Sequence, residues 1–343
     1  MDIEFHYYMT FLIAGKAGFG EEDTFSIAYA SQYVDDNDII YEIHKDKAQY
    51  YRNYISQTMN IMKPKPKLFR IYPLFHFIPG DPLSKEAFRK DGVLHWLNTT
   101  PDSENAKIIL DSALRSRNNY RIGIATHSYV DTWAHQNFIG YYNEFNSMSG
   151  VLQRIAPNIG HADAGHNPDW PGLVWEDKRL LTKNSRIDNK ERFMKSAASL
   201  FTKYRLHVDK KCSRKTLNAD RMQLIKGLRS AIGEIDQSNA NRKVRIERYK
   251  ELSQQMLGYE IPEYDEYAWF EEAVNENVRG LRDKSDSFLS RWDPLTDIYT
   301  WRKPRKYKET NWYKFQEAVK LNQNTTWDLL DKKVFSKLDL KDL

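Results

Sequence analysis

The stretch HSYVDTWAH, residues 127–135, sets His127, Asp131 and His135 four residues apart and four apart again. On an α-helix, residues i, i+4 and i+8 lie on one slowly drifting stripe. The two imidazoles and the carboxylate between them therefore point the same way. The neighbours Gly123, Ile124, Ala125, Val130 and Trp133 are small or apolar, so the pattern predicts a buried helix over residues 120–138. A carboxylate buried between two imidazoles needs compensation. A divalent cation supplies it, and neutral imidazole with carboxylate is a common zinc donor set. The competing reading is a buried His–Asp hydrogen-bond chain.

Working outward, helical periodicity recurs on both sides. Helices are expected over residues 5–17, 21–33, 45–62 and 103–116, and later over 190–208, 218–235 and 241–257. The stretch PNIGHADAGHNPDWPG, residues 157–172, carries three prolines and three glycines and reads as a loop. Strand signals are few: there is no sustained period-2 alternation and no Asn-Gly or Asp-Gly hairpin. The fold is expected to be all-α. Residues 1–180 read as a metal-binding helical core. Residues 181–343 read as a helical, basic, Trp-rich extension that completes the same domain or adds to it. Trp269, Trp292, Trp301, Trp312 and Trp327 are expected to dock helices onto a core, with base-stacking platforms as the alternative.

Hydrophobic residues make up 41% of the 343, enough for a sizeable core. The net charge of +5 permits binding to phosphates or anionic surfaces without demanding it. A single cysteine, Cys212, excludes an intramolecular disulfide. The first residues are acidic at the start, with no basic n-region. The apolar run from Tyr7 to Ala14 is too short to span a bilayer. A cytoplasmic protein without signal peptide or transmembrane helix is expected.

Other donors cluster before and after the central stretch. Asp35, Asp36 and Asp38 close a predicted helix, where negative charge opposes the helix dipole unless a cation is near. His76 sits among Leu74, Phe75, Phe77 and Ile78, and His6 lies in EFHYYMT; rings in such runs are buried and need partners. The loop adds His161, Asp163, His166 and Asp169. His44 and His207, among charged residues, look exposed.

The order of these segments resembles the zinc-dependent phospholipase C superfamily. That superfamily includes the phospholipase C/D domain of glycosylphosphatidylinositol-specific phospholipase D and the fungal single-strand-specific zinc nucleases. The likeness covers about residues 1–175. It implies an all-α, multi-helix bundle that holds two or three zinc ions. By that resemblance the metal ligands are His6, Asp35, His76, His127, Asp131, His135, His161 and His166. Asp163 and Asp169 compete for the last position, and Asp35 or Asp36 orients the attacking water. Three departures stand out. His135 follows Asp131 by four residues where the nucleases have six. Gly165 stands four residues after His161, where a carboxylate is expected. The N-terminal amine ligand of the secreted enzymes is expected to have no counterpart in a chain starting at Met1.

The resemblance implies a phosphodiester hydrolase acting on a phospholipid or on nucleic acid or nucleotide. Arg121 or a lysine of the basic middle region would contact phosphate. Trp133, Phe138, Tyr141, Tyr142 and Phe145, or Trp170 and Trp175, would form a surface for peripheral membrane contact or for bases. The alternative is a non-enzymatic helical protein with a structural metal site and a partner-binding C-terminal half. Structural zinc sites are mostly cysteine-rich, which one cysteine does not support.

Overall fold

The computed structural model describes residues 1–44, 48–58, 65–148, 159–277 and 297–338. The chain is mostly helical. A π-helical turn, Glu4–Met9, runs into α1 (Thr10–Ala17), followed by α2 (Glu21–Asp36). Then come short β1 (Glu42–Ile43) and β2 (Tyr51–Arg52), and helices α3 (Lys65–Phe69), α4 (Tyr72–Phe75), α5 (Glu104–Ser116) and α6 (Asn119–Ala134). A small antiparallel pair, β3 (Val174–Glu176) and β4 (Arg186–Asp188), brackets α7 (Thr182–Ser185). The second half holds α8 (Asn189–Val208), α9 (Arg214–Ile232), α10 (Arg242–Leu257), α11 (Ala268–Ala273), β5 (Val274–Asn277), β6 (Ile298–Trp301) and α12 (Asn311–Lys333).

Helix α6 is the axis of the fold. Every residue from Arg121 to Ala134 is buried, because α2, α5, α8 and α12 pack around it. A helix enclosed on all sides cannot keep a polar face, which is why its sequence shows only a weak polar stripe. Its start is set by Asn118, whose side chain accepts from the Arg121 N–H at 3.1 Å. Gly123 lets α2 come close: a Cβ there would lie 2.5 Å from the Ile27 carbonyl oxygen and 2.6 Å from Ala30 Cβ. One hydrophobic core runs from Met1 through α1, α2, α5 and α6 to α8–α12 and Phe335. Among the described residues this core does not divide near residue 180.

The all-α expectation is corrected in part. A four-stranded sheet, in the order β2-β1-β6-β5, joins the two halves through the parallel pairing of β1 with β6. Strands of two to four residues are too short to show alternation, so the sequence pattern misses them. The helix expected over 45–62 is also corrected. Residues 45–47 and 59–62 lie outside the described residues, and 48–58 are extended, with β2 paired antiparallel to β1. Tyr51 is held there by Trp301, Trp312 and Tyr313, at ring separations of 5.7, 5.9 and 5.0 Å. Tertiary packing has overridden local helical pattern. Helix α6 stops at Ala134, short of the expected 138, and α9 starts at Arg214, ahead of the expected 218.

Trp269, Trp301 and Trp312 are core residues, as docking anchors should be; Trp269 stacks on Tyr29 at 3.9 Å. Trp327 is half-buried beneath the Arg70 guanidinium, and Trp292 lies outside the described residues. His44 and His207 are half-buried rather than exposed. Among the described residues no helix is long and apolar enough to cross a membrane.

Candidate metal centre

The donors expected from the sequence come from five segments, and the fold brings most of them to the C-terminal end of α6. His127 and Asp131 project from α6 itself, and His135 is its C-cap. Asp35 ends α2, which Gly123 draws against α6. His76 caps α4, whose first turn carries Pro73. His6 lies in the π-helical turn. His161 precedes a short 3-10 turn, Ala162–Ala164. Gly160, at φ +54°, packs flat against Phe77, where any Cβ would lie 2.6 Å from the ring; Phe77 in turn stacks on His135 at 4.5 Å. A side chain at 160 would push the His161 loop off the centre.

Three groups have donor atoms mutually close enough for one ion each: His6, His127 and Asp131; Asp35, His76 and His127; His135, His161 and Asp169. Asp131 is the hub. Its Oδ1 lies 3.2 Å from His6 Nε2, and its Oδ2 lies 3.1, 3.5 and 3.6 Å from ring nitrogens of His127, His135 and His76. Asp35 Oδ1 stands 3.7 Å from both His76 Nδ1 and His127 Nε2. Asp169 reaches His135 at 3.4 Å and His161 at 3.6 Å. The α-amino group of Met1 also enters, donating to Asp131 Oδ1 at 2.5 Å and lying 3.5 Å from Asp169. Burial lowers this amine, but Asp131 and Asp169 outweigh it and raise it to about 10, so it is protonated and pairs with the carboxylates without being a metal donor itself.

Backbone carbonyls set the ring protons. His127 Nδ1 faces the Ser31 carbonyl at 2.8 Å, His76 Nε2 that of Ser56 at 2.9 Å, His135 Nδ1 that of His76 at 2.9 Å, and His161 Nδ1 that of Gly165 at 2.9 Å. A carbonyl only accepts, so each of these nitrogens carries the proton and the other presents its lone pair inward. Asn37, just beyond α2, builds part of this shell: its side chain donates to Tyr54 O and Ser56 Oγ, which seats the Ser56 carbonyl on His76. His127 Nε2 and His76 Nδ1 then face each other at 3.0 Å, lone pair to lone pair. Both nitrogens of His6, Asp131 Oδ2 and Asp169 Oδ1 are buried without a hydrogen-bond partner. Apart from the Met1 ammonium on Asp131 Oδ1, these buried atoms converge without a donor between them, and such a set of imidazoles and carboxylates fits a divalent metal. Nitrogen and oxygen donors without sulfur suit zinc, with iron or manganese next.

The electrostatics agree for His6 and His135 but not for His127, where the lowering effect of burial is outweighed by Asp131 and Asp35, which raise it. Burial lowers His6 to about 3 and His135 to about 4, leaving both neutral, as metal ligands must be. Burial pushes Asp131 up, but His135, the amine and His127 outweigh it and hold the carboxyl well below its usual range. Asp169 is likewise depressed, chiefly by His161 and the amine against burial. Asp35, His76, Asp131, His135, His161 and Asp169 line a cleft of about 790 Å³ that also takes in Tyr72, Phe77, Arg242, Tyr264 and Glu266, while His6 and His127 are fully buried and outside its lining.

Some expected residues sit elsewhere. His166 is exposed on the cleft rim and stacks on Trp170 at 5.5 Å; the positive φ of Gly165 turns the chain so that Asp169, not His166, reaches inward. Asp163 accepts from the Met148 N–H. Asp36 lies outside the three groups, accepting from Tyr264 Oη at 2.5 Å and Gln32 at 3.2 Å, and burial raises it to about 7. Arg121 is buried near the opposite end of α6, donating to Ser112 and Thr325, so it cannot serve the cleft. Trp133, Phe138, Tyr141 and Phe145 are buried, which removes them as a lipid or base surface. Arg192, unforeseen, closes α6 by donating to the Trp133 and Ala134 carbonyls, and burial lowers it to about 9. Arg242, Tyr264 and Glu266 come from distant helices and loops, and no motif announces them.

No curated protein and no solved structure matches the chain. Residues 1–330, which contain every residue of the centre, match the model of a family of unknown function, DUF6765, and the chain belongs to that family.

Proposed function

We propose that the protein is a metal-dependent phosphodiester hydrolase with a multinuclear, zinc-type His/Asp centre. The observation that carries the reading is the meeting of unprotonated donors around Asp131, above all His127 Nε2 and His76 Nδ1 at 3.0 Å. The chain order of the donors supports a bundle of the phospholipase C/zinc nuclease type. His6, His127, Asp131, Asp35 and His76 would hold one part of the centre, and His135, His161 and Asp169 another. The bound cations would supply Lewis acidity and a hydroxide source near neutral pH. Asp35, the most exposed carboxylate of the three donor groups at 27% of its side chain, would orient a water on the cleft side. Asp36, raised by burial to about 7 and hydrogen-bonded to Tyr264, can take up or release a proton near neutrality. Phospholipid, nucleic acid and nucleotide remain the candidate substrates.

The test is elemental metal content of the parent and of Asp131→Ala, followed by hydrolysis of bis(p-nitrophenyl) phosphate by the loaded protein. Two or three ions per chain, lost with the hub carboxylate, and turnover that follows the metal are expected. Stoichiometric metal with no phosphodiester cleavage would favour the second reading, a structural metal site. The open cleft stands against that reading, because structural sites are normally closed four-ligand sets.

A further inference from the structure

The cleft is acidic on nearly every side. Asp2, Asp35, Asp36, Asp131, Asp169 and Glu266 line it, and among the described lining residues Arg242 is the sole lysine or arginine. Arg242 opens α10. Its guanidinium makes no hydrogen bond or ion pair with another described residue. Its field is felt by Asp2, whose carboxyl burial raises to about 8, with Arg242 pulling the other way.

Its placement is not left to a flexible surface helix. Arg245, one turn later on the same face of α10, is fully buried. It donates through Nε and Nη2 to the two oxygens of Glu4, each at 2.8 Å, and through Nη1 to Asp236 Oδ2 at 2.7 Å. Glu4 stands two residues before His6, on the same π-helical turn. The first turn of α10 is therefore clamped to the element that carries a metal donor. Two arginines on one face then divide the work: Arg245 is consumed by the clamp, and Arg242 is held over the cleft with its planar donors unspent. A guanidinium in that state suits bidentate contact with phosphate.

We propose that Arg242 binds a second anionic group of the substrate, beyond the phosphate that is cleaved, so that the enzyme selects phosphate esters bearing an additional phosphate. This rests on the phosphodiesterase reading. The metal centre holds the scissile phosphate, and Arg242 reads the neighbouring one across the cleft. An ester with a single phosphate leaves Arg242 unused.

Calorimetric binding to the metal-loaded, full-length protein tests this without turnover, using thymidine 3′,5′-bisphosphate and thymidine 5′-monophosphate as probes. The parent should bind the bisphosphate about tenfold more tightly than the monophosphate, the worth of one charge-assisted contact. Arg242→Met, an exposed change, should erase that difference while leaving monophosphate affinity and metal content unchanged, and Arg242→Lys should restore part of it. Equal binding of the two nucleotides by a parent that still cleaves bis(p-nitrophenyl) phosphate would overturn the Arg242 inference alone. A preference that survives in Arg242→Met would do the same. Failure of both nucleotides to bind, together with no diester cleavage, would overturn the inference and the phosphodiesterase reading together.

Discussion

Two clusters of buried charge lie near the amino end of this protein, and they differ in one respect. Around Arg245 every polar atom has a partner: Glu4 and Asp236 accept from the guanidinium, Tyr249 adds a bond to Glu4, and the backbone N–H groups of Ala240 and Asn241 complete Asp236. Around Asp131, equally buried, the Met1 ammonium donates to Oδ1, but His127 Nε2 and His76 Nδ1 face each other beside Oδ2, and four atoms have no hydrogen-bond partner. The first cluster is complete as folded and fixes architecture. The second, on the metal reading proposed above, would be completed by a cation. Burial and charge density are alike in the two; what differs is how many buried polar atoms have a partner.

The comparison can be pressed experimentally. Metal removal should act on the Asp131 cluster alone. Zinc at a thousandfold excess over its Kd stabilises a one-site protein by about 4 kcal/mol. Chelation should therefore lower the midpoint of urea unfolding strongly in the parent and not in Asp131→Ala; equal midpoints with and without chelator would remove the distinction. Arg245→Met strikes the other cluster. It leaves Glu4 buried and unpaired and should cost about 3–5 kcal/mol, with much of that regained in the Glu4→Gln/Arg245→Met double variant, measured by the same unfolding curve. Gly123→Ala forces α2 away from α6, at about 1–3 kcal/mol for overpacking. Because α2 carries both Ser31 and Asp35, zinc affinity should fall along with stability, which a competition titration against a chromophoric chelator would read.

The smallest effect is one of pH. His6 and His135 are lowered by burial to about 3 and 4, from about 6.5 when unfolded. Between those values the unfolded chain binds more protons than the native one, so stability rises with pH there. The stability due to neutral His6 and His135 is present in full above pH 6.5 and is lost as pH falls toward their folded values. Asp36 and Asp2, raised by burial to about 7 and 8, bind protons in the native state over this range and oppose that slope, so the readout is a difference: between pH 7 and 5 the chelated parent should lose more stability than chelated His6→Gln. A slope unchanged by His6→Gln would mean that His6 is not buried neutral.

The central stripe was legible because a helix repeats its face every four residues, and HSYVDTWAH needs no partner to display that spacing. His6, Asp35 and His76 were legible for a different reason: each is a polar group in a setting that penalises it, an apolar run or the negative end of a helix. The resemblance prefers His166 to Asp169, and the structure reverses that order. The choice between them depends on the direction of one turn at Gly165, and loops carry no period. The short strands escaped for a similar reason, since two to four residues cannot establish alternation. The Tyr51 segment reads as helix until Trp301 and Trp312, some 250 residues away, claim it for the sheet.

By itself, then, the sequence determined what depends on local chemistry and periodicity: a mostly helical chain, the buried axis helix, and most of the nitrogen and oxygen donors. Tertiary structure alone decided which donors meet, that the Met1 amine joins them, which ring nitrogen of each histidine faces inward, and that Arg242 overlooks the cleft while Arg245 is locked away. Those outcomes rest on contacts between residues up to 241 positions apart. Such contacts arise from close packing and from the pairing of buried polar groups, and neither leaves a mark in the neighbouring sequence.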